Sequence, residues 1–103
     1  MINVERKKEG NAIVFLLKGK LNSEVVQEVR AQIKKVESGT DVIKLDFTDL
    51  KYVSSAGLRV ILEIHKDMKA SNKSLVLTNV DPGNMDILES TGLTKFLNIR
   101  NEQ

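Results

Sequence analysis

Cysteine and tryptophan are absent from the 103-residue sequence, which contains a single histidine and a single proline. Without cysteine, neither a disulfide framework nor a thiolate metal site can form. The longest apolar run, residues 12–17, is far too short to cross a membrane. Residues 1–8 carry charges with no apolar run behind them, unlike a signal peptide. We therefore expect a cytoplasmic domain with no membrane insertion.

The charge pattern argues against nucleic-acid binding. Sixteen Lys and Arg residues against fourteen Asp and Glu residues leave a net charge of +2, and the two signs are interspersed along the chain. Nucleic-acid-binding domains usually gather basic residues on one face or offer aromatic side chains for base stacking. With three Phe and one Tyr, the sequence provides neither feature. We expect no direct contact with nucleic acid.

The hydrophobic pattern predicts one α/β domain over residues 1–103, a length that suits a single core. Short β-rich apolar segments alternate with segments of helical periodicity, which indicates parallel strands joined by right-handed crossovers. A Gly10-Asn11 turn between the first two strands predicts a hairpin, so the sheet is mixed but mostly parallel. Four to five strands in the order ββαβαβαβ are expected. The strands are predicted near residues 2–4, 12–17, 42–47, 74–78 and 96–99.

Residues suited to catalysis or cofactor binding are scarce, so we expect no enzyme, metal site or cofactor. The one histidine, His65, falls on the apolar stripe of the second predicted helix, where a packed histidine with satisfied polar atoms is favoured over a catalytic base. The carboxylates match no metal-binding spacing, and turn or cap roles are favoured for Asp46, Asp49, Asp81 and Asp86. No phosphate-binding glycine-rich loop followed by Lys-Ser/Thr is present. A small hydrolase or nucleotide-binding enzyme therefore lacks support.

The most informative segment is residues 45–62, which reads as a buried strand, a short polar loop and a helix opening on two serines. Ser54 or Ser55 can cap that helix, a role worth about 1 kcal/mol. A serine at the positive end of a helix is also a candidate kinase target, although the local pattern alone favours the capping role. Gly57 in the first turn costs up to about 1 kcal/mol relative to Ala, which suggests a close backbone approach. The local pattern leaves both roles of the serines open.

Residues 52–62, YVSSAGLRVIL, resemble the signature of STAS domains, and most closely that of bacterial anti-sigma factor antagonists, roughly Asp-Ser-Ser/Thr-Gly-Leu-Gly. GKLN at 19–22 resembles the family's Gly-x-Leu-Asp, and STGL at 90–93 resembles its late Ser-Gly-Leu. The likeness covers nearly the whole chain. It departs from the motif where Ser54 replaces the aspartate, Ala56 a hydroxyl residue, Arg59 a glycine, and Asn22 a second aspartate.

The resemblance implies that Ser55 is phosphorylated by a partner anti-sigma factor that is a serine kinase, with Ser54 as the second choice. It also implies a phosphatase that removes the phosphate. The unmodified domain would dock on the anti-sigma factor and release the sigma factor. The contact rim carried over from the family consists of Asn22, Ser23, Thr48, Ser54, Gly57 and Arg59.

An alternative interpretation is a STAS subunit that only bridges proteins, such as the interaction partner of a membrane transporter or of another signalling complex. Such a subunit needs no phosphorylation, and the replacement of the motif aspartate by Ser54 slightly favours it.

Overall fold

The computed structural model describes residues 2–37 and 39–101, which form six strands and three α-helices. The strands are β1 (Ile2–Glu9), β2 (Ala12–Leu21), β3 (Val42–Asp46), β4 (Leu50–Val53), β5 (Ser74–Thr78) and β6 (Asn98–Arg100). The helices are α1 (Val26–Glu37), α2 (Ser55–Ala70) and α3 (Pro82–Ser90), and a single 3-10 turn spans Leu93–Lys95. The predicted order ββαβαβαβ is confirmed, with one strand added.

The sheet is mixed and mostly parallel, as predicted. β1 and β2 form an antiparallel hairpin, and every other strand pair is parallel in the order β1-β2-β3-β5-β6, with β4 also paired to β2. The turn of that hairpin lies at Gly10, where φ is 63°. The predicted α/β class and hairpin are therefore confirmed.

The prediction of four to five strands is wrong by one, because the segment predicted as a polar loop contains β4. β2 runs on past its apolar part to Leu21 and offers its edge to β4, so that Leu21 lies opposite Val53. The pairing register shifts between Gly19 and Lys20, and Gly19 has a φ of 110°. Glycine adopts this backbone conformation without steric cost.

The core lies on one face of the sheet, where alternate strand residues meet the apolar sides of the helices. Ile43 and Leu45 of β3 and Leu77 of β5 are at most 1% exposed. They belong to one cluster with Ile33 of α1 and Ile61 of α2. Burying one such side chain contributes about 1.5–3 kcal/mol. This packing fixes α2 against the sheet and so fixes the position of its first turn.

The third helix begins as predicted. Asp81 is the N-cap, its carboxylate accepting a 3.4 Å hydrogen bond from the backbone N–H of Asn84, and Pro82 is the first helical residue. The buried Asn84 amide donates to the carbonyl oxygen of Leu50 at 3.1 Å, which ties α3 to β4. Gly92, with a φ of 77°, follows the helix as its predicted stop. Within residues 2–37 and 39–101, no helix combines the length and apolarity that a membrane span requires.

Candidate functional site

Ser54 joins β4 directly to α2 and is the N-cap of that helix. Its backbone is extended (φ −84°, ψ 172°), and its Oγ accepts a 3.1 Å hydrogen bond from the N–H of Gly57. Its N–H donates to the carbonyl oxygen of Leu21 at 2.9 Å, while its own carbonyl accepts from the N–H of Leu58 at 2.9 Å. The Ser54 Oγ and carbonyl oxygen therefore accept hydrogen bonds from the first turn of α2, while its N–H ties the helix start to β2. The capping role falls to Ser54 rather than to Ser55.

Ser55 is the first residue of α2 and is exposed. Because Ser54 already caps the helix, the Ser55 hydroxyl has no hydrogen-bond partner among the residues that the structure describes. The first turn of α2 contains no acidic residue. The helix macrodipole places positive potential at this end, so an anion on Ser55 is favoured there. The hydroxyl is thus both accessible and set where a negative charge is tolerated.

Gly57 fills a position that accepts no side chain. A Cβ built on it would lie 2.8 Å from the carbonyl oxygen of Leu21 and 2.9 Å from Cγ2 of Val53. The close backbone approach predicted from the sequence is confirmed. Gly57 is also buried, and the lack of a side chain lets α2 approach β2 and β4 closely. Its place in the contact rim stays a prediction.

The loop after β2 lies beside the cap. Leu21 and Val53 are partners across parallel strands, so Asn22 and Ser54 leave the sheet side by side. The Asn22 side chain accepts a 3.0 Å hydrogen bond from the N–H of Glu24 in the turn before α1, and Ser23 is exposed. The helix predicted to be capped by Asn22 or Ser23 begins only at Val26. The structure therefore brings the predicted rim residues Asn22 and Ser23 next to Ser54.

Thr48 belongs to a different cluster. It lies in the turn between β3 and β4, and its hydroxyl and N–H donate to Asp46 Oδ1 at 2.6 and 2.9 Å. The side-chain amide of Asn79 also approaches this oxygen at 3.4 Å. Asp49 and the four residues of β4 lie between Thr48 and Ser54, and β4 alone spans about 13 Å. Thr48 is exposed, but it is not adjacent to the serine pair.

The turn role predicted for Asp46 is confirmed by the hydrogen bonds that it accepts from Thr48, and Asn79 is the polar residue of this cluster that sequence reasoning missed. Partial burial raises the pKa of Asp46, but the hydrogen bonds from Thr48 and Asn79 outweigh it, and the pKa is lowered overall. The positions of Asp46 and Asn79 along the strands could have indicated the cluster. Asp46 ends β3 opposite Thr78 of β5, and Asn79 directly follows Thr78. Parallel neighbouring strands bring the residues after them together.

Arg59, the last predicted rim residue, is exposed on α2 four residues after Ser55. Residues four apart on a helix share one face, so Arg59 and Ser55 lie on the same side of α2. The site that the structure assembles therefore consists of Ser55, the capping Ser54, the Asn22-Ser23 loop and Arg59.

His65 is half-buried on α2 and lies about 15 Å along the helix from Ser55. Burial lowers its pKa, and the nearby charge of Lys69 lowers it further. The predicted packing is confirmed, but the expected satisfaction of its polar atoms is wrong: Nδ1 is buried without a hydrogen-bond partner in the described structure. His65 is too distant to act as a base toward Ser55. In the described ranges, no three His, Asp or Glu side chains are grouped so as to hold a metal ion.

Comparison with known proteins identifies similar chains along almost the full length. The STAS domain family model matches residues 3–102. A Bordetella bronchiseptica protein, BtrV, named as a candidate anti-sigma factor antagonist, is 29% identical over 92 residues, covering 88% of this chain and 79% of BtrV. The anti-sigma-B factor antagonist of Listeria monocytogenes is 24% identical over 103 residues, covering 97% of this chain and 90% of the relative.

Among solved structures, the phosphorylated form of the Bacillus cell fate determinant SpoIIAA superposes with a TM-score of 0.77 at 20% identity. The superposition covers 100% of this chain and 92% of SpoIIAA. At this level of identity the likeness establishes a shared fold.

Proposed function

Since the chain belongs to the STAS domain family, we propose that it is an anti-sigma factor antagonist whose binding is switched off by phosphorylation of Ser55. The relatives in Bordetella and Listeria carry that function in their names, one of them as a candidate. The observation that carries the proposal is that the two serines have different roles, one as the helix cap and the other as an exposed hydroxyl. Ser54 caps α2 through Gly57 at 3.1 Å, which leaves the Ser55 hydroxyl exposed and free to accept a phosphoryl group.

The capping role of Ser54 also explains how the chain can depart from the family motif at this position. Aspartate and serine are both strong N-cap residues, because each offers an oxygen to the orphan N–H groups of the first turn. Replacing the motif aspartate by Ser54 therefore preserves the helix start on which the acceptor depends. The phosphoacceptor stays at Ser55.

The partner in this proposal is an anti-sigma factor that is also a serine kinase. The unmodified domain docks on it through the first turn of α2 and the Asn22-Ser23 loop, and the sigma factor is released. A phosphatase acting on phosphorylated Ser55 restores the binding-competent form. In this proposal the domain and its two partners act in the cytoplasm in the control of transcription, and the domain acts by binding rather than by catalysis.

Phosphorylation is expected to change binding more than folding. The phosphoryl group adds about −1.5 to −2 charges at neutral pH. In the free domain these charges lie at the positive end of α2, where an anion gains about 0.3–1 kcal/mol. In a closed interface the same charges lose several kcal/mol through desolvation unless a partner compensates them. Every 1.4 kcal/mol lowers the affinity about tenfold.

The experiment is intact-mass measurement after incubation with ATP and a candidate anti-sigma factor kinase from the same organism. We expect the wild-type domain to gain one phosphoryl group. Ser55→Ala is expected to gain none, while Ser54→Ala still gains one at Ser55. Ser90→Ala, at an exposed serine of α3, is the matched control and is expected to behave as wild type.

Two outcomes would contradict the phosphorylation of Ser55. A mass gain that persists in Ser55→Ala would move the acceptor elsewhere, and Ser54 would be the next residue to map. No gain with any kinase, together with stable binding of the unmodified domain to a transporter, would favour the bridging subunit instead.

A further inference from the structure

Ser55 and Arg59 form an exposed pair on one face of α2. They lie four positions apart on the helix, which places their Cβ atoms about 5–6 Å from each other. Both side chains are exposed. A phosphoryl group on Ser55 and the long Arg59 side chain can therefore meet without any movement of the backbone.

Arg59 has no partner in the described structure. No ion pair or hydrogen bond involves its side chain in residues 2–37 and 39–101. The acidic residue one turn further along the helix, Glu63, is instead 3.6 Å from the guanidinium of Arg30 on α1. A cation near the N-terminus of a helix is not stabilised by the macrodipole. The charge of Arg59 therefore gains little electrostatic stabilisation in the unmodified domain.

We propose that Arg59 binds the phosphoryl group of phosphorylated Ser55 within the same helix. The proposal rests on the phosphorylation proposed above. A guanidinium offers a planar fork of donors that matches phosphate oxygens in a bidentate geometry. The order along the helix is favourable as well, since an anion four residues before a cation is the better orientation for such a pair.

In the phosphorylated domain, Arg59 holds the phosphate against the surface of α2. The family motif has a glycine at this position, so the contact is a property of this chain rather than of the motif. The neighbouring Asn22-Ser23 loop carries no charge, which leaves Arg59 as the cation one helical turn from the phosphate. Pairing with a guanidinium favours the dianionic phosphate and therefore lowers its second pKa, ordinarily about 6.

The test uses the full chain with phosphoserine incorporated at position 55 during synthesis, so that it is independent of any kinase. The second pKa of the phosphate is measured by 31P NMR titration at physiological salt. We expect it to be lower in the otherwise wild-type protein than in Arg59→Gln by about 0.2 to 0.7, the range of an exposed ion pair.

Lys66→Gln is the matched control, because this exposed lysine lies about 16 Å along α2 from Ser55, beyond the Debye length at physiological salt. It is expected to leave the phosphate pKa unchanged. Equal phosphate pKa values in wild type and Arg59→Gln would overturn the contact. Arg59→Ala is titrated as a second variant, and the melting temperatures of both unphosphorylated variants report whether they fold.

The NMR titration tests the Arg59 contact independently of whether a kinase modifies Ser55. If the phosphate pKa shows the contact but no kinase modifies Ser55, the proposed function fails and the Arg59 contact stands. If Ser55 is modified but Arg59→Gln leaves the phosphate pKa unchanged, the contact fails alone.

Discussion

Gly57→Ala tests the packing that holds α2 at the end of β4. Helix propensity alone predicts that this change stabilises the protein by up to about 1 kcal/mol. The structure predicts the opposite sign. The new Cβ would lie 2.8 Å from the Leu21 carbonyl oxygen and 2.9 Å from Cγ2 of Val53, where ordinary contacts are 3.4–4 Å.

The backbone oxygen of Leu21 cannot move aside as a flexible side chain can, because Leu21 belongs to β2 and its carbonyl accepts the Ser54 N–H at 2.9 Å. Overpacking of this kind costs about 1–3 kcal/mol. Subtracting a propensity gain of up to about 1 kcal/mol leaves an expected net loss that is above zero and reaches about 2 kcal/mol. For a domain of this size, each kcal/mol lowers the melting temperature by about 4–8 °C.

The assay is urea denaturation of Gly57→Ala beside wild type, with the slope of the transition checked for constancy so that the midpoint reports stability. Ser55→Ala, two residues earlier and exposed, is the control and is expected to stay within about 0.5 kcal/mol of wild type. A Gly57→Ala protein as stable as wild type, or more stable, would refute the close approach of α2 to β2.

Three further outcomes can be checked by denaturation. Ser54→Ala is expected to lose about 1 kcal/mol with its cap while Ser54→Asp keeps most of it, and equal losses in both would count against the cap. The lowered pKa of Asp46 means that its charged form stabilises the fold above its ordinary pKa of 3.8. The advantage of wild type over Asp46→Asn should therefore shrink as the pH falls below 3.8, and an advantage that stays constant down to pH 2 would contradict the Thr48 hydrogen bonds. Asn84→Ala removes the buried amide that donates to Leu50 and should cost about 1–3 kcal/mol, whereas a neutral effect would show that α3 is held without it.

Much of the site follows from local sequence. The apolar run ending at Phe47, the small residues after Val53 and the periodic stripe of α2 together predict a helix that starts at the serine pair. Gly57 within that first turn predicts a close approach, and the structure supplies the Leu21 carbonyl as the neighbour. Local sequence does not say which serine is the cap. That choice depends on the Ser54 N–H bonding to Leu21 of another strand.

The features that could not be predicted from the sequence are those that depend on contacts between distant parts of the chain. β4 is four residues long with two exposed members, Lys51 and Tyr52, and it exists because β2 extends past Gly19 to offer an edge. The separation of Thr48 from the serine pair follows from that strand as well. Likewise, the partnerless Nδ1 of His65 reflects three-dimensional packing that a helical stripe cannot reveal.

We propose that phosphate on Ser55 controls binding to the anti-sigma factor. The most direct test of this proposal is the dissociation constant for the anti-sigma factor kinase, measured by calorimetry with the unmodified domain and with the domain carrying phosphoserine at position 55. We expect binding to be at least about a hundredfold weaker for the phosphorylated form, with both forms melting as folded domains. Equal dissociation constants for the two forms would contradict it.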